Sequence, residues 1–392
     1  MTWLWRIAAA LLLGQRVWKH WLVRRFFRRP IPPQRREPAL VSVLQPILSG
    51  DPTLRACLAA NLAAPTRYRR EFVWLIDQGD DEAAAICAEL SAAYPAEAVQ
   101  IIALPPPGPR DNPKTVKLWS GLRHAGGDVI CVLDDDTMLP PAGLEQCLPF
   151  LDQPGVGLAF GLPYYRCFAN VWSALVSLFV NSQSLLTYVP YTALTEPFTI
   201  NGMFYAMRRE VLDKVGGFGG LEAILADDFA VARRFRAAGY RLAQTPLRHG
   251  ISTYVHGPGH YLSLLQRWFI FPRESLMRHL SARELAVLYG LGLAPALFPL
   301  AAAALLVRPS RGRAAYAALY FGYGAWLARQ IDRDYLGQAT PRGLRWAAPL
   351  IEIIFPVQLL GALCSPQRIN WRGHVMRVER GGTFEFVRRR RQ

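Results

Sequence analysis

The sequence predicts an α/β fold with a doubly wound, mostly parallel sheet, set between an N-terminal hydrophobic anchor and C-terminal transmembrane or interfacial helices. Three observations carry this expectation. Between Ala39 and Asp136, short β-branched apolar runs alternate with helix-length segments, the pattern of βαβ units. One run, Val129 to Leu133, is continuously apolar and delivers Asp134, Asp135 and Asp136 at its end. Strands buried on both faces of a parallel sheet read this way, and open α/β sheets bind ligands at the carboxyl ends of their strands. After residue 284, apolar stretches approach membrane-helix length.

Length and composition fit this division. The 392 residues divide into an anchor and linker over 1–38, a large catalytic unit over 39–283, apolar helices over 284–366 and a basic tail over 367–392. Hydrophobic residues make up 52% of the chain and the mean hydropathy is +0.11, high for a protein with no membrane contact. Lys and Arg number 45 against 29 Asp and Glu, a net charge of +16, which suits an anionic membrane surface. The arginine runs flank the apolar segments rather than one helix face, so nucleic acid is not an expected partner. The six cysteines, Cys57, Cys87, Cys131, Cys147, Cys167 and Cys364, show neither a C-x-x-C pair nor metal-ligand spacing and read as reduced thiols.

In chain order, the run Ile7 to Leu13 is too short for a full span and lacks a following cleavage site. It reads as an interfacial or marginally spanning anchor with its arginines on the cytoplasmic side. Pro30 to Pro33 forms a linker. Strands are expected at Leu40 to Pro46, Glu71 to Asp77, Val99 to Leu104 and Val129 to Leu133, with helices at Pro52 to Ala63, Glu82 to Ala92 and Thr115 to His124 between them. There follow a helix from Val171 to Leu186, a strand from Thr199 entering a helix over Glu210 to Val215, and a helix opened by Asp227 and Asp228 that runs to Ala237. Further strands at Arg241 to Gln244 and Ser252 to Val255 precede a helix holding Gln266, Arg267 and Trp268. The apolar stretches are Leu285 to Val307, Ala314 to Leu327 and Trp346 to Cys364, the last interrupted by Pro349, Glu352 and Pro356. Three full crossings would put Arg388 to Arg391 outside, against the positive-inside tendency. Either one stretch, the proline-broken third first, is re-entrant or interfacial, or the N-terminal anchor changes the count; the tail is expected to be cytosolic. An acid inside an apolar stretch, as Glu352 is, raises a substrate-facing role or a place at the interface.

Asp134 and Asp136 lie two apart on an extended chain and project to the same side. They can share one hard cation with nucleotide phosphate oxygens; a solvated acidic turn is the alternative. Taken in order, a strand-end Asp77, the pair Asp134 and Asp136, the Gly-x-x-x-Ala-x-Arg-Arg segment from Gly202 to Arg209, Asp227-Asp228 and Arg267-Trp268 resemble the inverting glycosyltransferases of the GT-A fold. The likeness is greatest to the ceramide glucosyltransferase family and its hopanoid-glycosylating relatives, over about residues 39 to 275. The resemblance implies a GT-A-type sheet, a UDP-sugar donor and Mg2+ or Mn2+ as cofactor. It places Asp77 at the uracil or ribose, Lys114 of Asn112-Pro113-Lys114 near the diphosphate and sugar, and Asp134 and Asp136 at the metal, with Asp134 also toward the donor. It makes Asp228 the general base; Asp227, beside it in the first turn, reads as a helix cap or supporting group rather than the base. Arg267 and Gln266 fall on the donor side and Trp268 at the acceptor. The chain departs from the family at Leu264, where Gln or Arg is usual. His249, His256 and His260 show no metal-ligand pattern and read as structural or acceptor-side residues.

Elementary chemistry runs in the same direction. Charge developing on a departing UDP calls for a Lewis acid, and an attacking alcohol calls for a carboxylate to take its proton. The expected activity is transfer of a hexose, glucose first, to the hydroxyl of a membrane lipid at the cytosolic face of a bacterial-type inner membrane. Ceramide is the favoured acceptor, followed by a hopanoid or diacylglycerol. A processive polysaccharide synthase and a non-catalytic basic membrane protein are the alternatives.

Overall fold

The computed structural model describes residues 2–388 apart from 275, 309, 365, 366, 372 and 380; Arg389 to Arg391 of the expected tail lie outside the described residues. After helix α1 (Thr2–Phe27), eight strands form one sheet. They are β1 (Val41–Pro46), β2 (Arg70–Asp77), β3 (Ala98–Leu104), β4 (Val129–Leu133), β5 (Thr137–Met138), β6 (Val156–Tyr165), β7 (Phe204–Arg208) and β8 (Arg241–Ile251), in the order β3-β2-β1-β4-β7-β6-β8-β5. β3, β2, β1 and β4 run parallel. β7 is antiparallel to β4 and β6, β6 is parallel to β8, and the short β5 is antiparallel to β8. The mostly parallel α/β sheet expected from the sequence is thus present. Helices α2 (Leu54–Ala63), α3 (Asp81–Ala93) and α4 (Pro113–Gly121) connect its first four strands.

The continuously apolar strands have a simple cause. Val43, Phe72, Trp74 and Cys131 enter one core while their neighbours Leu44, Val73, Ile130 and Val132 enter another on the opposite face. A strand covered on both sides has no polar face to alternate with. The buried Trp74 indole donates to Gln45 Oε1 at 2.9 Å, which satisfies two polar groups that have no water.

The second half of the chain departs from expectation in several places, among them the unforeseen strand β6 and the extension of β8 to Ile251. Helix α5 (Val171–Leu194) runs well beyond Leu186, started by Asn170, whose side chain accepts from the amides of Trp172 and Ser173. The strand expected from Thr199 begins only at Phe204, and α6 (Arg209–Lys214) follows it directly. α7 (Asp227–Ala237) and α8 (Pro258–Glu274) form as expected. The strand expected at Ser252 to Val255 is absent because its backbone donors are engaged elsewhere. Ser252 N binds Asp136 O, Tyr254 N binds Asp51 Oδ2 and Val255 N binds Ser173 Oγ. Lastly, the tail is folded: β9 (Arg368–Trp371), β10 (His374–Val378) and β11 (Phe384–Arg388) make an antiparallel sheet. Its apolar face of Ile369, Met376, Val378 and Phe384 packs on Ile270 of α8.

Among the described residues two helices are long and apolar enough to cross a membrane, Ala282–Ala304 and Arg342–Gly361. The first contains a π turn at Tyr289–Leu293. By this measure the third apolar stretch qualifies and the second does not. Pro349 falls in the first turn of Ala348–Leu363, where a missing N–H costs nothing, and Pro356 is carried within the helix. The helix Arg311–Tyr335 instead carries Arg311, Arg313, Arg329, Asp332 and Arg333. α1 is a single helix packed on α5, where Val23 meets Leu185 and Val189. Its Arg16 pairs with Glu352 and lies 3.7 Å from the Tyr320 ring centroid, so Glu352 faces a neighbouring helix. All six cysteines are free thiols, five of them buried.

Candidate functional site

Because β2, β1 and β4 are parallel neighbours, their carboxyl ends open on one edge of the sheet. A cleft of about 840 Å³ lies there, the size range of small-ligand sites. Asp77 at the end of β2, Lys114 at the start of α4, Asp134 and Asp136 after β4, and Arg267 and Trp268 on α8 all line it. Leu264 lines it as well, whereas Gln266, on another side of α8, does not. Asp227 and Asp228 do not line it; Asp227 pairs with the cleft residue Lys114, and Asp228 lies against Gly202, whose carbonyl accepts from Lys114.

Local sequence explains each placement. Asn112 caps α4 by accepting from Lys114 N, and Pro113 occupies the first turn, where it has no hydrogen bond to lose. The Asn112 amide also donates to the carbonyls of Ile224 and Leu225, which ties α4 to the segment entering α7. With α4 so fixed, the Lys114 ammonium reaches three oxygens: Asp134 Oδ1 at 2.6 Å, Asp227 Oδ2 at 3.2 Å and Gly202 O at 2.8 Å. The contact with Asp227 is an ion pair without hydrogen-bond geometry, which leaves Asp227 Oδ2 buried with its charge offset but no donor. Gly202 has to be small, since a Cβ there would stand 3.0 Å from Asp228 Cβ. One turn along α4, Lys117 pairs with Asp77 Oδ1 at 3.0 Å and donates to Ile47 O at 2.7 Å.

The three adjacent carboxylates take different partners. Asp135 is buried and accepts from Leu48 N at 2.9 Å, fastening the loop after β1. Asp136 accepts from Thr253 Oγ1 at 2.8 Å. Asp134 is held by Lys114, yet burial, with Asp136 adding to it, raises its pKa to about 6. Burial works to lower the Lys114 pKa, but Asp134 and Asp227 overcome it and hold the ammonium well above its ordinary value. The lysine thus stays charged, and Asp134 is the strained partner of the pair because it also faces a second carboxylate. Asp228 is pushed up to about 7 by burial and then by Asp227. Its Oδ1 accepts from the neighbouring Phe229 amide at 2.7 Å.

Several further residues prove structural. Asp80 caps α3 by accepting from Ala83 N, and its other oxygen takes Ser49 N. Arg208 pairs with Asp152 and Arg209 donates to the carbonyls of Leu122 and Ala125. His249 is fully buried, and His256 and His260 stack at the cleft rim with ring centroids 5.6 Å apart. Trp268 lies between Phe179 of α5 and Tyr165, with centroids at 6.3 and 6.1 Å. Sequence reasoning passed over Lys117, Thr253, the buried Tyr205 hydroxyl beside Lys114 and Asp227, and the C-terminal sheet. Of these, Lys117 was discoverable, since it follows Lys114 by three residues and so shares its helix face.

The profile of glycosyl transferase family 21 matches residues 3–384. The probable glycosyltransferase YdaM of Bacillus subtilis (strain 168) is 28% identical over 246 residues, 60% of this chain and 56% of that protein, so the chain spans little more than half of that relative's length. Among solved structures, the mannosyltransferase PcManGT from Pyrobaculum calidifontis, in complex with GDP-Man and Mn2+, aligns with a TM-score of 0.49 at 19% identity over 90% of this chain and 97% of its own. GalNAc-T7 with UDP, GalNAc and Mn2+ aligns with a TM-score of 0.43 at 14% identity over 60% and 49%.

Proposed function

We propose that this chain, which belongs to glycosyl transferase family 21, moves a hexose from a UDP-sugar to the hydroxyl of a membrane lipid, inverting the anomeric centre. Glucose is the proposed sugar and a ceramide-type lipid the first acceptor to test, ahead of a hopanoid or diacylglycerol. The observation that carries this reading is the linkage of Asp134, Lys114, Asp227 and Asp228 beside a nucleotide-sized cleft at the strand ends.

The residues present fit a hard divalent cation, Mg2+ or Mn2+. Among the described residues no group of three or more His, Cys, Asp or Glu side chains could hold a metal. Asp134 and Asp136 offer oxygen ligands on the cleft wall, and a burial-raised carboxylate such as Asp134 gains from a cation. Mg2+-type ions keep waters and phosphate oxygens and need only one or two protein carboxylates. When bound, such an ion would offset charge on the leaving diphosphate.

The protein's own groups do the rest. Asp77 with its Lys117 partner would receive the nucleoside, and Arg267 would supply a cation on the α8 side for the diphosphate. Asp228, with a pKa near 7, is poised to take a proton from an acceptor hydroxyl at neutral pH. Asp227 caps nothing on its own helix and is spoken for by Lys114, which leaves Asp228 as the base. Trp268, among Tyr165 and Phe179, offers an aromatic surface toward the acceptor. An apolar acceptor agrees with the two candidate spans and the exposed Leu297, Trp346 and Val357 on the apolar helices. Catalysis would face the cytoplasm, with an anionic membrane surface taken up by the basic flanks.

The test uses full-length protein in detergent with UDP-hexoses, Mn2+ or Mg2+ and each lipid class. A glycolipid product that disappears on chelation is expected; absence of both transfer and hydrolysis from every UDP-hexose would overturn the reading. Asp228→Asn should lower transfer by roughly 10²- to 10⁴-fold while UDP still binds. Loss of UDP binding instead would reassign the base.

A further inference from the structure

The C-terminal sheet touches three segments that carry proposed site residues. Leu225 N donates to Gly382 O at 2.9 Å and Ile224 bridges to Thr383, immediately before Asp227. Phe386 N donates to Pro109 O at 3.3 Å, just before Asn112 and Lys114. Ser263 Oγ donates to Asn370 O at 3.3 Å, one turn before Arg267. The sheet therefore runs from α8 across to the loop after β3, and four of its residues, Asn370, Gly373, His374 and Phe386, line the cleft.

Charge shows what this wall offers. The sheet-edge side of the cleft is dense in acids, including Asp77, Asp80, Asp134, Asp135 and Asp136. Its two lysines are engaged, Lys114 by Asp134 and Asp227, and Lys117 by Asp77. Other parts of the lining are basic: α8 and its approach bring Arg267, His256 and His260, and the C-terminal hairpin adds His374, its ring 5.3 Å from the Phe386 ring. A diphosphate entering an acid-rich cleft is best received where guanidinium and imidazole groups line it.

We infer that the C-terminal sheet is the fourth wall of the donor site and that His374 contacts the diphosphate of the bound nucleoside-diphosphate donor. This rests on the proposed function, since it takes the cleft to be the donor site. The apolar face of the sheet, seated on Ile270, holds the hairpin against α8, and its polar edge supplies the contact.

The experiment measures equilibrium binding of UDP, GDP and uridine to full-length protein in detergent with Mn2+, together with the thermal midpoint. His374→Ala should weaken diphosphate binding about tenfold, the worth of one charge-assisted hydrogen bond. Uridine binding and the midpoint should stay unchanged, and His374→Gln, which keeps a donor, should recover most of the loss. In turnover the donor KM should rise with little change in kcat. Unchanged UDP binding by His374→Ala, or an equal loss of UDP and uridine, overturns the inference and leaves the proposed function standing. If the unsubstituted protein binds neither UDP nor GDP, both fall together.

Discussion

Lys114 shows how one side chain organises the site. It joins the end of β4, the turn into β7 and the start of α7, and its removal would leave Asp134 and Asp227 without their cation. Asp227 in turn sets the behaviour of its neighbour. After burial, its charge is the next cause raising Asp228 to about 7. A base works only when unprotonated, so transfer should rise with pH through about 7. Asp227→Asn removes that neighbouring charge, lowers the Asp228 pKa and should move the acidic limb of the pH–rate profile to lower pH. A limb that stays in place would show that another group titrates. At this scale the sequence was informative where spacing paired Asp134 with Asp136 and where the family resemblance pointed to Asp77 and Lys114, and all four share one cleft. It was silent on which partner each carboxylate takes, because Asp135 turning to Leu48 N and Asp136 to Thr253 depend on loops distant in the chain.

Strands and helices differ in how openly they announce themselves. β1, β2 and β4 were legible because burial on both faces makes β4 continuously apolar and β1 and β2 largely so. The C-terminal strands were not, since each is four or five residues long and buries one face only, so their pattern is short and half polar. β8 carries a pH-dependent liability. Its His249 is fully buried against Phe204, close to Gly161 of β6, where a Cβ would come within 2.6 Å of Nδ1. Burial lowers its pKa from 6.5 to about 3. The unfolded chain accepts the proton near 6.5 and the folded chain only near 3. Stability is therefore intact above 6.5 and declines as pH falls below it, by about 1.4 kcal/mol per unit. His249→Leu should flatten the fall of the thermal midpoint between pH 6.5 and 5. An unchanged slope would assign the acid sensitivity elsewhere.

Across the whole molecule, α1 is built into the body rather than trailing from it. Arg16 and Glu352, 336 residues apart, form a nearly buried pair between α1 and the last apolar helix. Breaking a buried pair from one side costs about 3–5 kcal/mol, whereas replacing both partners by apolar groups of similar size is close to neutral. Arg16→Met alone should lower the thermal midpoint in detergent, and Arg16→Met with Glu352→Met should restore it. Failure of the double variant to recover would mean that Arg16 matters chiefly through Tyr320. The packing also constrains topology. α8 precedes both candidate spans and the C-terminal sheet follows them, yet Ile270 and Ile369 share one core. Residues on either side of the apolar helices lie on the same side of any membrane those helices cross, so the number of crossings between them is even. The sequence posed three apolar stretches and could not decide among them, because charge bias constrains ends while packing fixes parity.

The position of the fourth wall has a consequence for biosynthesis. The ribosome makes the acidic floor of the cleft first, then both apolar helices, and only afterwards the hairpin bearing Asn370 and His374. A nascent chain paused in those helices holds most of the carboxylates but lacks Asn370 and His374, so on the proposed reading its donor site stays unfinished until the chain beyond the apolar helices has been made.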